Sequence, residues 1–303
     1  MRRPLLAGFL LAAAGAAPLR AQTLDDAVFM DRGVLCAGLF FTHDSWNQYW
    51  EGRLKRINGN VGTVTTSDVA YMGAYGVTDR VTLMASLPYV RTSASQGPLQ
   101  GQKGVQDVTL AAKLRLLTTP FTSLGALHVI AVGGYGAPVT DYSPDFLPLS
   151  IGLASRRVFG RATLSFQSKR GWYLNSSTGY TWRSNVRLNR SAYFTEGRLV
   201  LSDEVRMPNV ADYVIAAGYQ RPGFLITLPY TTQRTLGGGD IRRQDMPFVS
   251  NRMNFSKLEA RAQYTLPMFK VASVWLGASR VLDGRNVGQS TGYMAGIVLA
   301  GRP

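Results

Sequence analysis

The chain has 303 residues, of which 46% are hydrophobic and only 17% are charged. A soluble domain usually has about 25% charged residues, and the apolar content here is too high for a disordered chain. One cysteine and two histidines argue against a disulfide scaffold and a structural zinc site. Basic residues outnumber acidic ones by 33 to 18, which gives a formal charge of +15. No nucleic-acid-binding motif accompanies this charge, so we expect no nucleic-acid partner.

The start of the chain has the pattern of a bacterial secretory signal peptide. Two arginines at residues 2–3 precede an apolar run over residues 5–17, and the small residue Ala21 suits the position before a cleavage site. This run is too short to span a membrane comfortably, and no later stretch reaches the roughly 18 apolar residues of a membrane helix. We therefore predict a signal peptide over 1–22 and a single domain over 23–303.

The rest of the chain alternates apolar and polar residues with the period of two that indicates β-strands. In the stretch 104–117, the even positions from Val108 to Leu116 are apolar, whereas the odd positions include three charged residues. A strand with one apolar and one polar face follows from this pattern. The alternation predicts twelve strands, over residues 33–42, 62–76, 79–92, 104–117, 124–137, 149–168, 171–184, 210–221, 223–235, 251–266, 269–282 and 288–299.

The connections between these strands alternate in length. Short turns at one end and long loops at the other are typical of an outer-membrane β-barrel. The competing fold is a soluble, secreted β-sandwich or lipocalin-like barrel, in which the apolar face would point into a core. The length of the strands, the low charge content and aromatic residues at strand ends favour the membrane. The sequence therefore predicts an all-β, transmembrane antiparallel barrel of about 12 strands, with short periplasmic turns and long extracellular loops.

Aromatic residues lie at both ends of the apolar face of the strand 171–184, and a shorter version of this pattern recurs in 210–221. Rings at the two edges of the apolar band form the girdles of a membrane barrel. The expected girdle residues are Trp172, Tyr180, Trp182, Tyr213 and Tyr219.

Two stretches resemble an outer-membrane family named for the meta-pathway of phenol degradation. The first runs Tyr75-Gly76-Val77-Thr78-Asp79-Arg80-Val81-Thr82-Leu83 and ends in Leu87-Pro88-Tyr89-Val90; the second is Gly104-Val105-Gln106-Asp107, followed by Lys113. The match covers residues 70–120 well and the remainder by strand layout. The resemblance implies a single-chain outer-membrane barrel that transports small, often hydrophobic, compounds.

Charged residues on the polar face of the strands are the candidates for the interior. A twelve-stranded barrel lies between a filled eight-stranded core and an open sixteen-stranded channel. Two arrangements stay open: the charges line a narrow pore whose basic bias favours anions, or they pair across the lumen and plug it. The predicted lumen-lining residues are Asp68, Asp107, Lys113, Arg115, Arg161, Lys257, Glu259 and Arg261.

No motif predicts catalysis, a metal site or a cofactor. His43 and His128 are not tied by sequence to a serine and an orienting group, as a lipase would require. The glycine-rich stretch 236–245 lacks the Lys-Ser/Thr of a phosphate loop, and its two aspartates are too few to argue for calcium. We interpret it as a long, mobile and solvated extracellular loop; the alternative is that it folds inward and narrows the pore. Three arginines in 182–190 are candidates to contact lipopolysaccharide phosphate.

The sequence therefore predicts a monomeric outer-membrane channel for passive uptake of small, hydrophobic or anionic solutes. Its partners would be outer-membrane lipid, lipopolysaccharide and the solute. The alternative is a structural or surface-interaction barrel with a plugged lumen, and an enzyme such as an outer-membrane phospholipase comes third.

Overall fold

The computed structural model describes residues 22–242, 247–269 and 271–302. Almost all of the predicted signal peptide lies outside these residues. Within them, no helix is long and apolar enough to cross a membrane. The twelve long strands are β1 Leu35–Trp46, β2 Val64–Thr78, β3 Val81–Ala94, β4 Asp107–Phe121, β5 Gly125–Pro138, β6 Arg157–Ser168, β7 Trp172–Arg183, β8 Val210–Arg221, β9 Phe224–Thr235, β10 Asn254–Thr265, β11 Ala272–Arg285 and β12 Thr291–Gly301.

The strands close into a barrel. Each pairs antiparallel with its sequence neighbours, and β1 pairs with β12, with Leu35 opposite Gly301. Closure removes the unpaired edges that a membrane interior could not satisfy. The predicted twelve-stranded transmembrane barrel is confirmed, with short periplasmic turns such as 169–171 and long extracellular loops such as 184–209.

One predicted strand is wrong at its start. The sequence prediction began it at residue 149, whereas β6 begins at Arg157. Residues 149–156 belong instead to the extracellular loop 139–156, where Leu149 is fully buried. The hydroxyl of Thr92, on the inner face of β3, donates to the carbonyl oxygen of Leu149 at 2.5 Å. The apolar residues of this stretch are thus buried against the barrel mouth rather than in a ladder.

The two faces of β4 differ as the alternation requires. Leu110, Leu114 and Leu116 are 50%, 39% and 54% exposed on the outer wall, whereas Asp107 and Lys113 are buried inside. Because the side-chain period of a strand is two, a shift of one residue would put both charges in lipid. The register of β4 is therefore fixed by the membrane.

The five predicted girdle aromatics lie on the outward register of β7 and β8. The rings of Trp172 and Tyr219 are 4.9 Å apart near the periplasmic end, and those of Tyr180 and Trp182 are 4.6 Å apart in the extracellular half. Tyr213 is 41% exposed between them. Their height relative to the bilayer stays a prediction.

We expect Leu110→Arg to impair insertion and to lower the stability of the folded barrel. A lipid-facing arginine costs about 2–4 kcal/mol near the bilayer midplane and much less towards the interface. The folded fraction after refolding into bilayers, and its urea midpoint, measure the effect. Leu201→Arg is the control, because Leu201 is 81% exposed in an extracellular loop and should tolerate the charge. Equal behaviour of the two variants would show that the outer face of β4 does not meet lipid.

Candidate functional site

The segment 22–34, which precedes β1, lies inside the barrel. Phe29 packs against inward-facing Ala111, Ile130 and Val132 of β4 and β5. The segment thus fills part of the lumen with its own apolar side chains. No structure was predicted for residues 23–32, and residues 33–34 were predicted to begin the first strand, which begins at Leu35. The apolar run 27–30 before the first strand is the signal that the segment is buried.

The segment is fixed at the periplasmic rim by the turn between β2 and β3. The amide of Gly33 donates to the carbonyl oxygen of Gly76 at 2.8 Å. A Cβ at Gly76 would collide with the carbonyl oxygen of Asp31, so a side chain is excluded there. The amide of Arg32 donates to the Asp79 carboxylate at 3.3 Å. Close backbone approach therefore holds the segment where it enters the lumen.

Lys113 fixes the segment deeper in the barrel. Its side chain is fully buried, and its Nζ lies 2.6 Å from Oδ1 of Asp26. The same Nζ donates to the carbonyl oxygens of Thr23 at 2.7 Å and Val28 at 3.2 Å. A buried ammonium needs such partners, because leaving it unpaired would cost several kcal/mol. All three acceptors belong to the inserted segment, so wall and segment are electrostatically matched.

Two further predicted lumen residues of β4 also contact inserted parts of the chain. The guanidinium of Arg115 lies 4.3 Å from the centre of the Phe29 ring. The carboxylate of Asp107 accepts from Arg157 at 2.7 Å and from the hydroxyl of Tyr142, in the loop 139–156, at 2.6 Å. These side chains therefore hold the inserted segment and loop instead of lining open space.

The remaining basic residues of the predicted set lie on the opposite wall and form ion pairs. Arg161 of β6 pairs with Asp212 of β8. On β10, Glu259 accepts from both Lys257 and Arg261. The structure thus brings the charges together in small networks.

Several acidic residues of the interior had not been assigned from sequence. Asp25 lies within electrostatic reach of the basic wall, Asp44 lies near Lys257, and Asp212 lies in the same interior. Asp68, which had been assigned to the lumen, accepts a hydrogen bond from the hydroxyl of Thr42. The interior is therefore much less basic than the predicted set implied.

A cavity of about 510 Å³ remains between the inserted segment and the wall of β8–β12 and β1. Apolar side chains line one part of it, namely Phe40, Met72, Trp275 and Met294. Charged side chains line another, namely Asp25, Asp44, Arg161, Asp212, Lys257, Glu259 and Arg261. With four acidic and three basic groups, the cavity carries no basic excess. An apolar patch beside paired charges suits a small molecule with one polar end.

A second cavity of about 20 Å³, large enough for roughly one water molecule, lies beside the first. The two share Thr23, Asp25, Arg261 and Trp275 in their linings. Nε1 of Trp275 and Oδ1 of Asn175, which also lines the smaller cavity, are buried with no hydrogen-bond partner among the described residues. The inserted segment, Arg261 and Trp275 therefore lie between the two cavities.

The extracellular loops cover the mouth of the barrel. Gln106 of the barrel wall donates to the carbonyl oxygen of Ile151, which keeps the loop 139–156 inside the mouth. The loops 184–209 and 236–253 share a small apolar core made of Val186, Leu188, Val205, Met207, Phe248 and Val249. The loop 139–156 thus folds into the mouth. For the glycine-rich stretch 236–245, inward folding stays a prediction, and residues 243–246 of it lie outside the described residues.

Asp240 attaches the glycine-rich loop to the end of β11. Its carboxylate accepts from Nε and Nη2 of Arg285 at 2.7 and 2.6 Å and from Nδ2 of Asn286 at 2.7 Å. Bidentate arginine–carboxylate pairs are among the stronger charge-assisted contacts. The hydrogen bond from Arg285 lowers the pKa of Asp240 from 3.8 to about 2. The contact therefore persists over the whole neutral and mildly acidic range.

Neither histidine lies in a catalytic arrangement among the described residues. Nδ1 of His43 is 2.9 Å from the Ser67 hydroxyl on the outer wall, and Nδ1 of His128 is 3.0 Å from the Thr118 hydroxyl. No third group orients either pair in the part of the chain that the structure describes. No group of three or more possible metal ligands occurs there either.

The three arginines expected to reach lipopolysaccharide are separated. Arg183 lies on the inward register of β7, Arg187 is opposite Glu204 in a short loop ladder, and Arg190 pairs with Asp145 at 3.1 Å. They do not form one cluster at the membrane edge.

The sequence model of the family described as "Putative MetA-pathway of phenol degradation" matches residues 56–240, more than half of the chain. The chain belongs to this family. No curated protein matches it. The matched range includes the motif turn between β2 and β3, Lys113 and the loop 139–156, whereas the inserted segment 22–34 lies before it.

Two solved structures of outer-membrane proteins resemble this chain in fold. The COG4313 outer membrane channel from Pseudomonas putida F1 is 17% identical, covers 92% of this chain and 100% of its own, and superposes with a TM-score of 0.73. The NanC porin is 9% identical over 86% of this chain and 98% of its own, with a TM-score of 0.47. The first of these shows that the fold is that of an outer membrane channel.

We expect Lys113→Met to loosen the inserted segment and to raise single-channel conductance. Removing one partner of a buried ion pair costs about 3–5 kcal/mol. In this variant Asp26 would lose its partner, so the inserted segment would be held less firmly against the wall. Lys103→Met, at an exposed position, removes the same charge without touching the segment and serves as the control. The double variant Lys113→Met/Asp26→Leu should recover part of the loss in stability. Unchanged conductance in Lys113→Met would contradict the role of this anchor.

We expect the Asp240 contact to resist acid. Because its pKa is lowered, its contribution is present above the ordinary value of 3.8 and is lost only as the pH falls through about 2. Hydrogen exchange of residues 236–242 should therefore stay slow at pH 4, whereas Asp240→Asn should exchange fast at neutral pH. Fast exchange in the native chain at pH 4 would show that another contact controls this loop.

Proposed function

We propose that the chain is an outer-membrane channel for passive uptake of small solutes, exported with a signal peptide over residues 1–22. The fold that it shares with an outer membrane channel supports the location. The observation that carries the proposal is the cavity of about 510 Å³ beside the inserted segment. A barrel whose interior only served stability would be filled by side chains.

The solute passes between the inserted segment and the wall of β8–β12. The two cavities share four lining residues, so one continuous path needs only small movements at Arg261 and Trp275. The buried, unpartnered Nε1 of Trp275 and Oδ1 of Asn175 support this route. Buried polar atoms are usually paired, and a passing polar group or water would supply the missing partner.

The solute is a small molecule with an aromatic or apolar body and one hydroxyl or carboxylate. Phe40 and Trp275 offer ring contacts on the apolar part of the cavity, and Arg261 offers donors on the charged part. The family description, which refers to phenol degradation, supports the same chemistry. The balanced charges do not favour an anion over a neutral molecule.

A structural or surface-interaction barrel is the second candidate. The fully buried Lys113 and the shared apolar core of the extracellular loops favour it, because both make the interior rigid. Such a barrel would have no permeant solute.

Thr231 and Thr232 are adjacent residues on opposite faces of β9 and allow a matched test. Thr231 lines the large cavity, whereas Thr232 is on the outward register. We expect Thr231→Trp to lower single-channel conductance in planar bilayers severalfold, because the indole would fill the cavity. Thr232→Trp should conduct like the native chain.

Two outcomes would contradict the channel. An absence of single-channel events in the native chain and in Lys113→Met would favour the plugged barrel. Equal conductance of Thr231→Trp and Thr232→Trp would show that ions take a different path through the barrel.

A further inference from the structure

A separate depression, of about 670 Å³, lies at the extracellular ends of β9, β10 and β11. Four of the side chains that line it are arginines, and only one is acidic, Asp283. The arginines are Arg53, Arg234, Arg252 and Arg285. We call this depression the arginine notch.

The arginine notch lies at the extracellular rim of the barrel, and several of its residues are on the outward register of the wall. Arg234 follows Phe224, Ile226, Leu228 and Tyr230 on the outward register of β9, all of which are exposed apolar residues. On β10, Asn254 and Ser256 precede the exposed Leu258 on the same face. The notch therefore begins where the apolar belt of the wall ends.

Two of the four arginines in the notch are available to a ligand. Arg285 is paired with Asp240, but Arg53 and Arg234 have no ion pair with any residue that the structure describes. Arg53 comes from the hairpin that follows β1 and Arg234 from the end of β9. Two distant parts of the chain thus place like charges around one depression, an arrangement that favours an anionic ligand.

Arg280 is a second, independent indication of an anion at this edge. It lies opposite Leu258 on β11, on the exposed face of the wall. A lipid-facing arginine is tolerated when its guanidinium reaches a headgroup. Arg280 does not line the notch, but it adds a further exposed positive charge to the same face of the wall.

We propose that the arginine notch binds the phosphate groups of the lipid A part of lipopolysaccharide. Guanidinium groups bind phosphate through paired charge-assisted hydrogen bonds. The apolar belt directly below would contact the acyl chains of the same molecule. The inference rests on the outer-membrane location in the proposed function, because lipid A belongs to the outer leaflet of that membrane, but it requires no conduction.

The test uses the folded full-length barrel in detergent, with bisphosphorylated lipid A as the probe. We expect Arg53→Gln/Arg234→Gln to weaken its binding at least about tenfold, the loss typical of one charge-assisted hydrogen bond. Arg198→Gln/Arg206→Gln removes the same charge from exposed positions of the loop 184–209 and should bind as the native chain does. Lipid A without phosphate should bind the native chain weakly.

If both double variants weakened the binding of lipid A equally, the loss would follow from the lower net charge alone, and the proposal would be overturned. So would equal binding of phosphorylated and dephosphorylated lipid A, which can be measured on the native chain alone if a variant fails to fold. Stronger binding of phosphatidylglycerol than of lipid A would also overturn it. Conductance in synthetic bilayers that lack lipid A tests the proposed channel independently of lipid A binding, so either proposal can fail without the other.

Discussion

The buried ammonium of Lys113 determines how the interior of this barrel is arranged. An amine on the inner wall of a narrow barrel cannot stay unpaired without a large desolvation cost, and an ammonium has three protons to donate. The segment 22–34 supplies three acceptors: the carboxylate of Asp26 and the carbonyl oxygens of Thr23 and Val28. The ammonium on the wall therefore needs the acceptors of the segment, and the segment is held in place by the same hydrogen bonds. The segment is a part of the folded interior, and closure of the strands alone would leave this charge without a partner.

The motifs that carry the family resemblance have a physical explanation in the inserted parts of the chain. Gly76 permits the close approach of the segment at the rim, and Asp79 accepts from its backbone. In the second motif, Asp107 and the neighbouring glutamine hold the loop 139–156 inside the extracellular mouth. A strand of the wall needs only the alternation of apolar and polar residues, which does not explain why a motif has a glycine or an aspartate at a particular position. That cause is here the attachment of a segment at each end of the lumen.

The barrel could be predicted from the sequence, because the period of two decides which residues meet lipid. The same signal failed for residues 149–156, since apolar residues that are buried under a loop look like part of a strand. The inserted segment could not be predicted from periodicity, because it has no ladder and its partners are distant in sequence. Two readings of the lumen charges stayed open for the same reason: the acidic partners Asp26 and Asp212 are chosen by the fold. The structure pairs most of these charges, and among the described residues the cavity of about 510 Å³ lies on one side of the inserted segment.

This asymmetry reconciles a fixed segment with the proposed channel. The segment is attached to β2–β5, through the rim turn and Lys113, whereas the large cavity faces β8–β12. A solute therefore need not displace the buried ion pair, whose loss would cost more than a small molecule gains on binding. Movement is required only where Arg261 and Trp275 narrow the path, and there the partners are side chains rather than backbone. On this arrangement, Lys113 controls the rigidity of the interior and Arg261 controls what passes, so substitutions at the two residues should separate stability from selectivity.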